Sequence, residues 1–166
     1  DLLAAVAKHP AMLVYLDNAQ NAVNHVNENF ARELLELHTL GVDAGYSQRD
    51  VQELARVLTG FGVDRSDLAT PPPRFARADR AVQYRRQGLY EFNPHRHDYG
   101  DKHLLGVTVR GRGPAELDEV VELLSRQSAT AHRAVVNEEM AVVAEALAKL
   151  QLSFGARAGE TGKLYG

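Results

Sequence analysis

The chain has 166 residues, 45% hydrophobic and 25% charged, with a formal net charge of −3, proportions of a globular protein long enough to bury a core. Near-neutrality implies no general attraction to nucleic acid or to an anionic membrane surface, and no apolar run reaches the ~20 residues that span a bilayer. Cysteine is absent, which excludes a disulfide framework, a thiolate metal site and a cysteine nucleophile.

The opening DLLAAVAK predicts a helix with Leu2, Leu3, Val6 and Ala7 on one side. It begins in mid-pattern, as a portion of a larger protein would. His9-Pro10 interrupts it, because proline disfavours the helical conformation in the residue before it. Pro10 can then start a second helix, where its missing N–H costs nothing. AMLVYLDNAQN continues as a core-facing helix, with a short buried strand at VYL as the alternative. Asn18, Asn21, Asn24 and Asn27 mark a polar connection of turn-forming and capping residues.

The run NENFARELLELHTLG (27–41) predicts a helix with Asn27 as N-cap and Glu28 in its first turn. Phe30, Leu34 and Leu37, with Ala31, Leu35 and His38 one step round, form the apolar stripe. Glu28, Arg32 and Glu36 fall at i, i+4 and i+8, an ion-pair ladder on the other side. Gly41 ends the helix in a left-handed conformation. The next helix starts with Ser47 and Asp50, a capping-box-like pair, and buries Val51, Leu54, Ala55, Leu58 and Phe61. The short glycine-containing link makes the two helices antiparallel neighbours.

Over 63–87 the periodicity is lost, and the segment reads as a surface excursion. Its Pro71-Pro72-Pro73 is stiff and extended. The run RFARADRAVQYRR carries five arginines and one aspartate; it reads as a solvated loop, with a phosphate or other acidic partner as the alternative. GLYEFN alternates as a strand does, and 102–109 is its expected hairpin partner across NPHRHDYGD. Helix returns at Pro114 with Leu117, Val120, Val121 and Leu124 on one face, 141–152 is again helical, and 155–166 reads as a flexible tail. The expected fold is a mainly α, helical bundle-like single domain over 1–166 with one small β-hairpin at 88–109.

Three stretches, HPAMLVYLDNAQN, NENFARELLELHTLGVDAGYSQRDVQELARVLTGF and FNPHRHDYGDKHLLG, closely resemble the bacterial family called domain of unknown function 1800 (DUF1800), over about 1–132. Members are typically larger and mostly helical, so the resemblance implies a portion of such a protein. They are often exported, which implies a periplasmic or secreted location. Their genes often sit beside those of a sulfatase- and phosphatase-like family, which implies a protein partner from it. After SATAH (128–132) the family continues into a basic helix and an aromatic-rich segment; here RAVVNEEMAVV follows instead.

Two clusters could carry chemistry. The first is Asn27, Glu28, Asn29, Arg32, Glu33, Glu36 and His38. Glu33 stands on the border of the apolar stripe, where desolvation could tune it as a general base or metal ligand. The competing account has Asn27 and Asn29 capping and the charges forming ion pairs that lock this helix to the next element. The second is FNPHRHDYGDK, with His95, His97, Asp98, Asp101 and Lys102. His97-Asp98 coincides with the family's motif; His95 does not. Histidine and carboxylate suit zinc or a similar divalent metal, and acid–base work. Yet His95-x-His97-Asp98 is no established ligand pattern, and a full set would need Glu33 or His38 nearby. The competing account is a hydrogen-bonded loop with Asp98 as turn acceptor and Lys102 paired.

There is no phosphate-binding glycine loop, HExxH or G-x-S-x-G, and Ser47 and Ser125 have no base beside them. His9, His38, His103 and His132 read as structural. Two functions follow: a binding or accessory module in an extracytoplasmic pathway, which is favoured, or a metal-dependent or acid/base hydrolase built from Glu33, His97 and Asp98; the cofactor is left open, with a divalent metal the less favoured alternative. The hydrolase requires those three groups to converge in a concave pocket.

Overall fold

A computed structural model describes residues 2–42, 44–67 and 69–161, with side chains up to 147 and at Lys149. The chain divides into two compact units, Asp1–Arg126 and Gln127–Gly166.

In the first unit, α1 (Leu2–Ala7) leads to α2 (Pro10–Tyr15). His9 holds an extended backbone, its Nδ1 accepts the Ala11 N–H at 3.2 Å, and Pro10 opens α2. VYL therefore lies at the end of a helix and is not a strand. Leu13 and Leu16 enter the core, whereas Leu2 and Tyr15 face solvent.

A 3-10 turn, Asn18–Gln20, carries the chain to α3 (Asn29–Glu36) and α4 (Gln48–Val57). α3 buries Phe30, Ala31, Leu34 and Leu35, but Leu37 is 69% exposed. The helix stops at Glu36, and the amides of Leu40 and Gly41 fold back onto the Leu35 carbonyl at 2.9 and 3.1 Å. Leu37 and His38 thus leave the stripe that periodicity gave them. Gly41 does take a positive φ, 100°. The backbone N-cap is Glu28, one residue after Asn27, whose Oδ1 still accepts the Asn29 N–H at 2.9 Å. α4 begins with the full Ser47/Asp50 capping box and buries Val51, Leu54 and Ala55. The stripe continues through Leu58 to Phe61.

The helical-bundle expectation with one hairpin is corrected by the strands. The fold is mixed α/β with two small antiparallel sheets. One has the order β1 (Phe61–Val63), β3 (Tyr90–Phe92), β2 (Arg85–Gln87); the other pairs β4 (Lys102–Leu104) with β5 (Val107–Val109). Segment 88–93 therefore pairs with Phe61–Val63 and Arg85–Gln87, not with 102–109. The reason is local. Leu105 and Gly106 both take positive φ, 51° and 78°, a two-residue turn whose twist suits a hairpin. The 102–109 segment thereby closes on itself, with Leu104 opposite Val107. Three-residue strands carry too little alternation to announce their partners.

Between β1 and β2 lies a four-residue helix, α5 (Ala78–Ala81). Arg86 on β2 pairs with Asp64 at 3.2 Å, and Arg77 with Asp79 at 2.8 Å. The last helix, α6 (Ala115–Thr161), sends Leu117, Val120, Val121 and Leu124 into the same core as α3, α4 and the strands. Its range takes in 141–152 and the first part of the expected tail; residues 162–166 lie outside those described. In the second unit the helix exposes Val135, Met140, Val142, Val143 and Leu147.

Candidate functional site

The polar centre of the first unit forms where α4, the 93–101 loop, β4 and α6 meet. Asp50, Glu53 and Arg56 stand at i, i+3 and i+6, so one face of α4 is a row of charge. The row meets the outer edge of the β4–β5 hairpin: Asp50 Oδ1 accepts the Leu105 N–H at 2.7 Å, and Glu53 Oε2 accepts the His103 N–H at 2.9 Å. These are the alternate amides that β5 leaves unpaired, and two helix carboxylates satisfy that edge. Glu53 also pairs with Arg56 Nη1 at 2.8 Å.

Arg56 carries the row into the loop. Its Nε and Nη2 donate to Asp98 Oδ2 and Oδ1 at 2.8 and 3.3 Å, a fork on one carboxylate. Asp98 Oδ1 also accepts the Gly100 N–H at 2.8 Å. Burial alone would raise the Asp98 carboxyl, but the Arg56 and Gly100 hydrogen bonds outweigh it and hold the group below the usual aspartate range.

His97 points the other way, into the core, at 3% exposure. Its Nδ1 lies 2.7 Å from the Thr59 carbonyl oxygen, which can only accept, so this nitrogen donates. Its Nε2 lies 3.0 Å from Glu116 Oε1. Glu116 Oε1 also accepts the Gly113 N–H at 2.7 Å, and Oε2 meets Lys102 Nζ at 2.5 Å. Lys102 Nζ donates in addition to the Asp98 carbonyl. The Lys102 and Glu116 side chains, like that of His97, have no solvent-exposed area. Burial pushes the Glu116 carboxyl up, yet the hydrogen bonds with His97 and Lys102 prevail and set it below the ordinary range. Phe61, Phe92 and Tyr99 ring the imidazole at 6.5, 5.2 and 4.7 Å between centroids.

The backbone is shaped to admit this ring. Gly60 has φ 81°, and a Cβ there would stand 2.9 Å from the Asn93 carbonyl oxygen and 3.0 Å from His97 Cβ. Thr59 Oγ1 donates to the Arg56 carbonyl at 2.6 Å and accepts the Asp98 N–H at 2.8 Å.

The asparagines do related work. Asn18 Nδ2 donates to the Leu58 and Phe61 carbonyls at 3.1 and 2.9 Å, and Asn21 Nδ2 donates to the Ala55 carbonyl at 2.9 Å. Two buried side chains thus take up the Ala55 and Leu58 carbonyls at the end of α4 and the Phe61 carbonyl of β1. Asn29 Nδ2 reaches the Leu16 carbonyl at 3.4 Å.

The sequence-derived candidates separate. His97 and Asp98 are adjacent but serve different partners. Glu33, half-buried on α3, makes no side-chain hydrogen bond or ion pair with a described residue, and it does not join them. Arg32 pairs with Glu28 at 3.4 Å and Glu36 at 3.7 Å, and Gln48 joins Glu28 and Arg32 across to α4 at 2.6 and 2.9 Å. His95 stacks on Phe75 at 4.5 Å, and Asp101 pairs with Arg110 at 2.8 Å. Among the described residues no group of three or more histidines and carboxylates could hold a metal ion.

Glu53, Arg56, Thr59 and Glu116 are the members that sequence reading passed over. Glu116 had a signal: it stands four residues before Val120 and eight before Leu124, on the stripe itself. A carboxylate in an apolar stripe calls for a cation or hydrogen-bond donors to meet it, and Lys102, in register with the buried Leu104, was available.

Acid–base catalysis needs a lone pair or proton open to a substrate. Here the imidazole nitrogens and both Glu116 oxygens are engaged internally. The result is a mixed α/β domain with a closed, fully bonded polar centre. The family model described as "Protein of unknown function (DUF1800)" matches residues 1–137, and the chain belongs to that family. No curated protein and no solved structure matches it.

Proposed function

We propose that this domain is a non-catalytic binding or accessory module of an extracytoplasmic pathway, acting on a protein partner such as the sulfatase- and phosphatase-like proteins that the family resemblance implies. One observation carries the reading: His97 and Asp98, the charged pair of the family-like loop, are spent on internal partners, with Glu116 and Thr59 on one side and Arg56 on the other. Residues so placed lock a loop onto α4 and α6, and they leave recognition to the outer surface. A hydrolase would instead direct such groups at a cavity.

The test is elemental analysis of protein purified without chelator, together with turnover of aryl phosphate and aryl sulfate esters by wild type and His97→Gln. The expected result is no stoichiometric metal and no turnover above buffer, with His97→Gln losing thermal stability. Stoichiometric zinc, manganese or iron, or ester hydrolysis that His97→Gln abolishes, overturns the proposal.

A further inference from the structure

The arginine-rich run reads from the sequence as a solvated loop, yet it is organised in the fold. Phe75 contacts both Tyr84 and His95, at 5.8 and 4.5 Å between centroids, the second pair stacked. His95 Nε2 lies 3.1 Å from the Arg74 carbonyl oxygen, to which it donates. The two ends of the run are thereby drawn together, with α5 between them. Within this frame the five arginines divide. Arg86 turns inward, 12% exposed, onto Asp64 and the Ser66 and Asp67 carbonyls. Arg80 lies over the Tyr99 ring. Arg74, Arg77 and Arg85 are exposed.

Two of those three have no anion of their own. Arg77 donates Nε and Nη2 to the Asp79 carboxylate at 3.0 and 2.8 Å. Among the described residues no carboxylate pairs with Arg74 or Arg85, and Arg85 spends only Nη1, on the Val82 and Tyr84 carbonyls. The run sets five arginines against one aspartate in a chain of net charge −3, so the remaining residues are acidic on balance. That distribution selects the ligand chemistry. The planar guanidinium fork matches a carboxylate, as Arg77 on Asp79 shows. Nucleic acid is disfavoured twice. The Phe75 and Tyr84 rings that could stack bases are engaged with each other, and an acidic remainder repels a long polyanion. We propose that Arg74, Arg77 and Arg85 form a docking surface for an acidic, Glu/Asp-rich segment of a partner protein. The proposal rests on the binding-module reading above and gives the partner its chemistry.

Fluorescence anisotropy of a labelled oligoglutamate peptide, titrated with the full chain at low ionic strength, tests this directly. Binding that weakens as salt is added is expected, with oligoglutamine unbound. Arg74→Gln/Arg77→Gln/Arg85→Gln should weaken it at least about tenfold. Arg49→Gln/Arg133→Gln, the same change at exposed arginines elsewhere, should stay within about twofold. Arg74→Gln alone, whose side chain has no described partner, should weaken it about two- to threefold without moving the thermal midpoint. Four results overturn the proposal: no binding of the peptide, equal loss in the Arg49/Arg133 control, tighter binding of a thymidine oligonucleotide of equal charge, or displacement by inorganic phosphate beyond that by chloride at equal ionic strength. Absence of peptide binding together with absence of ester turnover removes this surface and leaves the accessory reading standing. Stoichiometric metal or ester turnover removes that reading whatever the peptide does.

Discussion

Replacing Glu116 with glutamine keeps size and shape and removes one charge from a site where Lys102 Nζ lies 2.5 Å away and neither side chain meets solvent. Lys102 then remains a buried ammonium facing a neutral amide. Breaking a buried pair from one side costs about 3–5 kcal/mol, against about 5–15 kcal/mol of total stability for a typical domain. For a chain of this size each kcal/mol is worth about 2–4 °C, so Glu116→Gln should lower the Tm by about 6–20 °C. Urea titration followed by far-UV circular dichroism measures the same loss as a lower midpoint at unchanged slope. Lys102→Met/Glu116→Leu removes both charges together and should recover most of it, because apolar replacement of a whole buried pair is often neutral or stabilising. The pH dependence has a definite sign. The folded carboxyl is held below its ordinary value of 4.5, so its contribution is complete above that value and is lost as pH falls through the folded one. Wild type should therefore lose stability faster than Glu116→Gln on acidification below about pH 4.5. A loss smaller than about 1 kcal/mol, or identical acid dependence in the two proteins, refutes the reasoning.

Asn21→Ala removes the donor to the Ala55 carbonyl and to Asn18 Oδ1, and the acceptor of the half-buried Asn27 N–H; with two buried acceptors unpaired, chemical denaturation should show a loss of about 3 kcal/mol. Gly60→Ala forces a Cβ to within 2.9 Å of the Asn93 carbonyl oxygen at φ 81°, and a loss of about 2–3 kcal/mol is expected from the same titration. Glu33→Gln, in contrast, removes a charge with no described partner and should change stability by less than about 0.5 kcal/mol in thermal scans.

The helices were legible because their signals are local. Ser47 and Asp50 form a capping box with donor and acceptor sites three positions apart, and Val51, Leu54, Ala55 and Leu58 repeat at helical spacing, so both start and buried face could be read directly. The strands were not. Phe61–Val63, Arg85–Gln87 and Tyr90–Phe92 are three residues each, and β1 lies far in sequence from its partner β3. The pairing of β1 depends on where Gly60 turns the chain and that of β2 with β3 on the reversal at Gly88, just as β4 and β5 depend on Leu105-Gly106. The end of α3 depends likewise on amides returning to Leu35, which no apolar period encodes.

The same distinction governs the polar centre. His97 and Asp98 attracted attention as a pair because they are neighbours, yet a backbone step sends one to Glu116 and the other to Arg56. Lys102, expected to be paired, carries a further consequence. β4 is buried at Lys102 and Leu104 and exposed at His103; a one-residue slip would place the imidazole inside and the ammonium in solvent. With three residues, apolar alternation alone cannot oppose that slip. Glu116 opposes it, because only Lys102 in the inward position meets its carboxylate. Asp50 and Glu53 impose the same phase from the other edge by taking the amides of Leu105 and His103. Three carboxylates from two helices thus hold the hairpin that the Leu105-Gly106 turn closes in its inward phase, and the Asp98 carboxylate, a candidate for chemistry in the sequence, ties the preceding loop to Arg56.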